Sequence, residues 1–217
     1  MNIHCRRVAA LLAAIVLPLG SGTAAAGSFA VGGKAGTTGL GIEATWRLTD
    51  SVNLRGGYYA FDYGTDLEEE GVEYDGDLKL RNAAVFADWH PFGGAFRLSA
   101  GGVQSGNEFL GSADGDLDVG DNTYAGQLEA EVSWSGLAPY LGIGFGNAMR
   151  GGRLSFSFDL GVMFTGSPDV RLDGSVNDPA LEDAFAEDLA RERDNLEDEL
   201  SDVKYYPVVS LGFAYRF

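Results

Sequence analysis

The sequence predicts an all-β protein, a transmembrane antiparallel up-and-down β-barrel. Polar and apolar residues alternate with period two in many segments, as they do in strands that have one face in lipid. After residue 26, no apolar run reaches the roughly 20 residues that a membrane-spanning helix needs. Residues 205–217 alternate too, with aromatic side chains at both ends. Because only closure pairs every backbone group in lipid, strands that span a membrane must form a closed barrel.

The first 26 residues have the pattern of a Sec signal peptide. Arg6 and Arg7 precede an apolar run of about a dozen residues, and Ala24 to Ala26 offer an A-x-A cleavage site. The one cysteine of the chain, Cys5, lies in this segment, so residues 27–217 contain no thiol. We therefore expect export through the Sec pathway and a barrel domain at 27–217, placed in the outer membrane of a Gram-negative bacterium.

The charge of the chain argues against nucleic acid as a partner. The formal net charge is −17, from 15 basic and 32 acidic residues. The predicted signal segment holds two of the basic residues and no acidic ones, so residues 27–217 carry −19. A chain so acidic repels phosphate backbones.

Period-two segments predict ten strands, an even number as is usual for bacterial barrels. An eight-stranded barrel remains open, with residues 28–48 as one bent strand and residues 168–176 as a loop. The ten predicted strands are 28–35, 40–48, 52–61, 78–90, 96–104, 124–134, 139–145, 153–165, 168–176 and 205–217.

The connections between these strands predict which end of the barrel faces outward. Short turns are expected at 49–51, 91–94 and 135–137, whereas long acidic loops are expected at 64–77 and 106–123. Outer-membrane barrels place short turns on the periplasmic side and long loops outside the cell. A change of apolar face between residues 35 and 40 also predicts a tight turn or bulge near Thr37 and Thr38.

An amphipathic helix is predicted at about 178–202, inserted before the last strand. Asp178 fits an N-cap and Pro179 the first helical position. Ten acidic residues cover most of the surface, so binding to a membrane surface is disfavoured. We expect the narrow apolar stripe to rest on the rim or mouth of the barrel, or else to dock a surface partner or a second copy. The stripe consists of Leu181, Phe185, Leu189, Leu196 and Leu200.

Three segments carry a resemblance to a known group of proteins. They are SGLAPYLGIGFG, TWRLTDSVNLR and the terminal GFAYRF. The pattern resembles the small outer-membrane barrels that include OmpW-like, OmpX-like and opacity-related proteins. This resemblance implies an assembly signal at Tyr215 and Phe217, read by the barrel-assembly machinery, and contact with outer-membrane lipid and lipopolysaccharide. OmpW-like members are associated with a narrow passage for small hydrophobic molecules, and OmpX-like members act as structural surface proteins.

Charged residues of both signs fall on the faces expected to point into the barrel. In a barrel of eight to ten strands the interior is barely wider than its side chains, so such groups must pair. Either they form a salt-bridged plug, or they line a polar constriction for small solutes. The expected lumen charge network is Glu43, Arg47, Arg55, Arg97, Glu129, Glu131, Asp159 and Arg216.

Candidates for catalysis and metal binding are few. His90 lies beside a predicted turn, two residues after Asp88, but no serine nearby in the sequence completes a triad. Four carboxylates, those of Asp114, Asp116, Asp118 and Asp121, crowd one loop as calcium ligands do, but Val119 and Ala125 depart from the EF-hand pattern. We expect no cofactor and no enzymatic activity.

The sequence therefore predicts a non-enzymatic outer-membrane barrel, either a structural surface protein or a narrow passive channel for small molecules. An alternative is a binding or adhesin-type module that uses the acidic loops and the helix. A lipid-modifying enzyme is the third possibility.

Overall fold

The computed structural model describes residues 28–69, 72–120 and 122–217. The predicted signal peptide, residues 1–26, lies outside these ranges. The strands are β1 (Phe29–Gly36), β2 (Gly39–Arg47), β3 (Val52–Glu69), β4 (Val72–Trp89), β5 (Phe96–Val119), β6 (Asn122–Phe145), β7 (Leu154–Phe164), β8 (Asp169–Val176) and β9 (Tyr205–Arg216). A 3₁₀ turn at Pro179–Leu181 leads into one helix, α1 (Glu182–Leu200).

Eight of these strands close into an antiparallel ring, which confirms the predicted barrel. The strands from β1 to β7 form six consecutive antiparallel pairs, β1 with β2 through to β6 with β7, and β9 closes the ring between β7 and β1. The turn predicted near Thr37 and Thr38 joins β1 to β2. Within the described ranges, no helix is both long and apolar enough to cross a membrane.

The favoured count of ten strands is wrong, because one pair of predicted strands is a single continuous strand and another pair lies end to end along one edge of the sheet. Residues 135–137, expected as a turn, lie inside β6, where Gly136 pairs with Ser105 of β5. Strand β8 continues β7 along the same edge of β6, after a break at residues 165–168. The eight-stranded alternative has the right number of strands in the ring, but both of its assumptions are wrong. Residues 28–48 form two strands and not one bent strand, and residues 169–176 form a strand and not a loop.

The long acidic segments expected as loops are tall hairpins instead. Strands β5 and β6 pair without interruption from Phe96 with Phe145 to Val119 with Asn122. Strands β3 and β4 pair up to Glu69 with Val72. Together with β8, these two hairpins extend the wall of the barrel beyond its mouth. The loop prediction was wrong because the acidic segments continue the strand pattern.

The outside of the ring is apolar. Leu154, Phe156, Phe158 and Leu160 of β7 are 40% or more exposed, as are Leu211 and Phe213 of β9. Such a belt is costly in water and suits lipid. We name the end with the β2–β3, β4–β5 and β6–β7 connections the short-turn end. There the belt finishes in aromatic contacts, with the Phe29 ring 5.0 Å from Trp46 and 6.1 Å from Phe217.

Candidate functional site

The lower half of the barrel interior, towards the short turns, holds a compact cluster of charges that we name the ionic layer. It contains three cations and three anions, so it is neutral overall. The members come from inward-facing positions of six different strands. The ionic layer consists of Lys34 on β1, Glu43 on β2, Arg55 on β3, Asp88 on β4, Arg97 on β5 and Asp159 on β7.

Arg55 lies at the centre of the ionic layer. Its Nε is 2.8 Å and its Nη2 is 3.1 Å from the two carboxylate oxygens of Asp88, while its Nη1 donates to Glu43 at 2.8 Å. Its Cζ also lies 4.7 Å from the centre of the Phe86 ring. Such a bidentate, charge-assisted arrangement is among the strongest that arginine makes, and it fixes the orientation of the guanidinium.

Asp159 joins opposite walls of the barrel. Lys34 Nζ donates to one of its oxygens at 2.7 Å, and Arg97 Nη2 donates to the other at 2.5 Å. Asp88 has a further donor in Ser99 Oγ, at 2.5 Å, and Glu43 has one in the hydroxyl of Tyr59. Every carboxylate of the ionic layer is thus satisfied by several donors.

Glycine at neighbouring inward positions makes room for these long side chains. A Cβ added to Gly144 would lie 2.7 Å from Asp159 Oδ1 and 2.8 Å from Arg97 Nε. One added to Gly57 would lie 2.6 Å from the Tyr59 hydroxyl oxygen. The frequent glycines of the inward faces are therefore what lets six charged side chains fill so narrow a ring.

Above the ionic layer, the barrel is filled by apolar and aromatic side chains. The Tyr140 ring lies against Gly142 and Gly161, and its centre is 4.7 Å from that of Phe86. The cavities left beside the two layers measure about 20 and 30 Å³, enough for about a single water molecule each. We name this set the apolar layer: Tyr59, Ala84, Phe86, Val103, Ala138, Tyr140, Met163 and Val208.

The short-turn end is closed by the segment between β6 and β7, residues 146–153, which we name the lower plug. Met149 in this segment is 2% exposed. Arg97 donates to the carbonyl of Gly146, and both Arg47 and Arg216 donate to that of Met149. Arg47 and Arg216, expected in the lumen charge network, thus lie at the rim. Their side chains donate hydrogen bonds to backbone carbonyls and not to carboxylates.

Two other residues of the expected network lie outside the barrel. Glu129 and Glu131 are on the upper part of β6, where Glu131 pairs with Arg171 of β8 at 3.2 Å. The expected orientation of this segment is wrong because its apolar face, with Tyr124 and Leu128, turns towards α1 and not towards lipid. The acidic face is consequently the outer one.

Lys34 and Asp88 belong to the ionic layer, but the charge pattern did not select them for the network. Lys34 stands among glycines and alanines in β1, where alternation is faint. The sequence suggests a role for Asp88 only as a partner of His90. Asp88 shares one face of β4 with the apolar residues Ala84 and Phe86, and this position in the alternation predicts that its side chain points inward.

His90 is held in a structural role by its neighbours. Its Nδ1 lies 3.1 Å from the carbonyl oxygen of Gly94 and 3.2 Å from that of Phe96, so this nitrogen carries the proton. Nε2 accepts from Asn53 at 3.2 Å. Both ring nitrogens are engaged, and the nearest serine–carboxylate bond, Ser99 to Asp88, leaves the imidazole out.

Three of the four carboxylates that the sequence suggests as calcium ligands lie along one strand, β5. Asp114, Asp116 and Asp118 share the face of β5 that points away from α1, and Asp121 lies outside the described residues. Gln127 donates to Asp114 and Thr123 to Asp118, each at 2.7 Å. In the part of the chain that the structure describes, no three His, Cys, Asp or Glu side chains are grouped to hold a metal.

Helix α1 packs on the inner face of the extended wall and not on the barrel mouth itself. Phe185 is buried against Tyr124, with ring centres 5.2 Å apart, beside Leu117 and Val119. Asp188 is 2% exposed and accepts from the Tyr124 hydroxyl at 2.6 Å and from Asn122 at 2.7 Å. Both hydrogen bonds lower the pKa of Asp188, and the bond to Asp188 raises the pKa of Tyr124.

The closed ring, apolar outer belt and polar interior define a transmembrane β-barrel of the outer-membrane type. Two crystal structures from Acinetobacter baumannii share this fold. CarO2 has a TM-score of 0.60 and 20% identity, covering 87% of this chain and 98% of its own. CarO has a TM-score of 0.57 and 23% identity, covering 87% and 97%. No protein-family model and no curated protein matches the sequence.

Proposed function

We propose that this protein is a closed, non-enzymatic outer-membrane barrel that acts as a structural surface protein. The observation that supports this most directly is the filled interior. The ionic layer, the apolar layer and the lower plug occupy successive levels of the ring, and the cavities beside them hold about one water each. A solute would have to displace side chains at each level.

The ionic layer favours a permanent plug over a selective constriction. Removing one partner from a buried ion pair leaves an uncompensated charge, which costs about 3–5 kcal/mol. The single guanidinium of Arg55 contacts both Asp88 and Glu43 and lies 3.7 Å from Asp159. Displacing it would therefore disturb three carboxylates together. A passage that opens readily would not be built around such a group.

The cellular address is part of the same proposal. The signal-like residues 1–26 support Sec export, and the aromatic C-terminal strand supports recognition of Tyr215 and Phe217 by the barrel-assembly machinery. The apolar belt supports contact with outer-membrane lipid and lipopolysaccharide. Membership among OmpW-like or OmpX-like proteins stays a prediction from the sequence, and the closed interior favours the structural role of the OmpX-like members.

A binding role is the second candidate, because the tall hairpins and α1 present a large acidic surface beyond the membrane. Most acidic residues of α1 are exposed, and the outward faces of β4, β5 and β6 add carboxylates such as Asp77, Asp114 and Glu129. A surface of this charge favours a cationic partner.

Single-channel conductance of the protein without residues 1–26, in planar bilayers, tests the proposal. We expect no conductance steps from this chain, and none after deletion of residues 178–202, because the occlusion lies within the ring. A shift in electrophoretic mobility on heating would show that each sample is folded. Steady conductance in the undeleted chain would contradict the proposal and support a narrow channel; conductance only after deletion would make α1 a lid.

A further inference from the structure

The short-turn end of the barrel carries arginines that have no carboxylate partner. Among the described residues, no ion pair includes Arg47, Arg150, Arg153 or Arg216. Asp50, in the turn between β2 and β3, is an exposed carboxylate at the same end. In a chain with a formal net charge of −17, this positive end stands out against the acidic extension at the opposite end.

Two of these guanidinium groups lie side by side. Arg47 Nη2 and Arg216 Nη1 donate to the same oxygen, the carbonyl of Met149, the second at 2.7 Å. Arg216 Nη2 also donates to the carbonyl of Gly151 at 2.7 Å. Each guanidinium has five N–H donors, so both keep donors that this contact leaves unused. An anion that accepts from both would offset their mutual repulsion.

Arg153 adds a third positive charge at this edge. Its backbone carbonyl accepts from the backbone N–H of Arg216 at 2.8 Å, so the two residues are direct neighbours across the β7–β9 edge. Its side chain is exposed and makes one long hydrogen bond, 3.5 Å, to the Tyr215 hydroxyl. Arg153 is the last residue of the lower plug, and its side chain makes no hydrogen bond to the plug like those of Arg47 and Arg216.

The surroundings of the three arginines are those of a membrane interface. Trp46 lies at the same height as Arg47 on the outer face of β2, and its ring is 5.0 Å from that of Phe29, which in turn lies 6.1 Å from Phe217. The Tyr215 ring is 5.3 Å from Phe217. Aromatic girdles of this kind mark the level of lipid headgroups. The anion that reaches this level most often is a lipid phosphate.

We propose that Arg47, Arg153 and Arg216 bind the phosphate of an anionic phospholipid in the leaflet on the short-turn side. The planar guanidinium fork matches phosphate oxygens in pairs, which a lysine ammonium does not. The site anchors the barrel at a fixed depth and neutralises the pair of charges beside the lower plug. This inference rests on the membrane placement given under the proposed function.

Fluorescence quenching in vesicles tests the site. Substituting Trp89→Phe and Trp134→Phe leaves Trp46 as the reporter of residues 27–217. Phosphatidylcholine vesicles then receive equal fractions of a bromine-labelled lipid, either phosphatidylglycerol or phosphatidylcholine. We expect labelled phosphatidylglycerol to quench Trp46 preferentially, and Arg153→Ala to weaken that preference about fivefold, since a basic residue near an anionic membrane contributes about 1 kcal/mol. Arg171→Ala, at the acidic end, serves as the matched control and keeps the full preference.

Four outcomes would overturn the inference. Equal quenching by the two labelled lipids in the reporter chain would remove the preference that the site predicts. A preference that survives both Arg153→Ala and Arg216→Ala would place it elsewhere. Loss of the preference with inorganic phosphate, but not with chloride at equal ionic strength, would assign the site to a soluble phosphate. Absence of quenching by either lipid would show that the chain is not in the membrane, and so would contradict the proposed function as well.

Discussion

Arg55 on β3 and Asp88 on β4 form a bidentate ion pair inside the barrel, with N–O distances of 2.8 and 3.1 Å. Both side chains are at most 5% exposed. The pair lies where the ionic layer meets the apolar layer, because the same guanidinium rests on the Phe86 ring. The two layers are therefore linked through one side chain.

Arg55→Ala should destabilise the barrel strongly. It leaves Asp88 and Glu43 buried with fewer donors, and breaking a buried pair in this way costs about 3–5 kcal/mol. Urea unfolding in lipid vesicles measures the change. Arg171→Ala, which breaks the exposed pair with Glu131, is the control and should leave the free energy of unfolding unchanged within error. Equal losses for the two variants would show that the ionic layer does not stabilise the fold.

Gly161→Ala should displace the Tyr140 ring. The added Cβ would lie 2.4 to 2.6 Å from three atoms of that side chain, so the ring must move. Overpacking of this kind costs about 1–3 kcal/mol. The temperature at which the folded band disappears on electrophoresis reports the loss. Gly56→Ala, whose Cβ meets only one atom at 3.8 Å, is the matched control. A Gly161→Ala barrel as stable as the control would mean that Tyr140 has room to move.

Phe185→Ala should release α1 while leaving the barrel intact. Phe185 is 3% exposed against Tyr124, and truncating a buried phenylalanine costs about 3–5 kcal/mol. Trypsin cuts after Arg191 and Arg193 in α1, so the rate of cleavage there reports local undocking. Leu181→Ala, 41% exposed at the start of the helix, is the control and should be cut at the rate of the unchanged chain. Slow cleavage in both variants would show that α1 is held by other contacts.

Asp188→Asn should weaken the docking of α1 at neutral pH and have less effect in acid. Hydrogen bonds from Tyr124 and Asn122 lower the pKa of Asp188 in the folded state. A lowered pKa adds stability above the unfolded value, near 4, and that stability is lost as the pH falls through the folded value. Hydrogen exchange of α1 amides, corrected for intrinsic rates, should therefore distinguish the two chains at pH 7, and the difference should shrink as the pH falls below about 4.

The comparison between the two chains isolates Asp188 from the other acidic residues of α1. Those residues repel one another at neutral pH in both chains, and their protonation affects both alike. A difference in exchange that stays constant from pH 7 to pH 3 would contradict the predicted role of the Asp188 charge.

The barrel class was readable from the sequence because alternation is unambiguous where one face meets lipid. Residues 154–164 place Leu154, Phe156 and Phe158 on one face, and the structure exposes all three. The number of strands was not readable in the same way. Gly136, with φ of +122°, looks like a turn residue, yet β6 passes straight through it because β5 pairs with it on one side.

The ionic layer could be foreseen only in part, because charge patterns do not reveal height along a barrel. Glu129 and Glu131 have the alternation of lumen residues, but they lie above the ring, where an apolar face can be buried by a helix as well as by lipid. Lys34 contacts Glu43 and Asp159, and its partner Asp159 is 125 positions away along the chain. Contacts at that separation depend on the register of closure, which alternation alone does not fix.

The uninterrupted β5–β6 hairpin has a mechanical consequence. About 14 residues of β5 rise beyond the membrane, which at the usual strand rise and tilt places the tip about 30 Å above the lipid surface. With no hinge between belt and tip, a load applied at the tip along the strands is shared by many backbone hydrogen bonds in shear. The hairpin is thus a rigid projection, and a molecule that binds its tip is held at a constant distance from the bilayer.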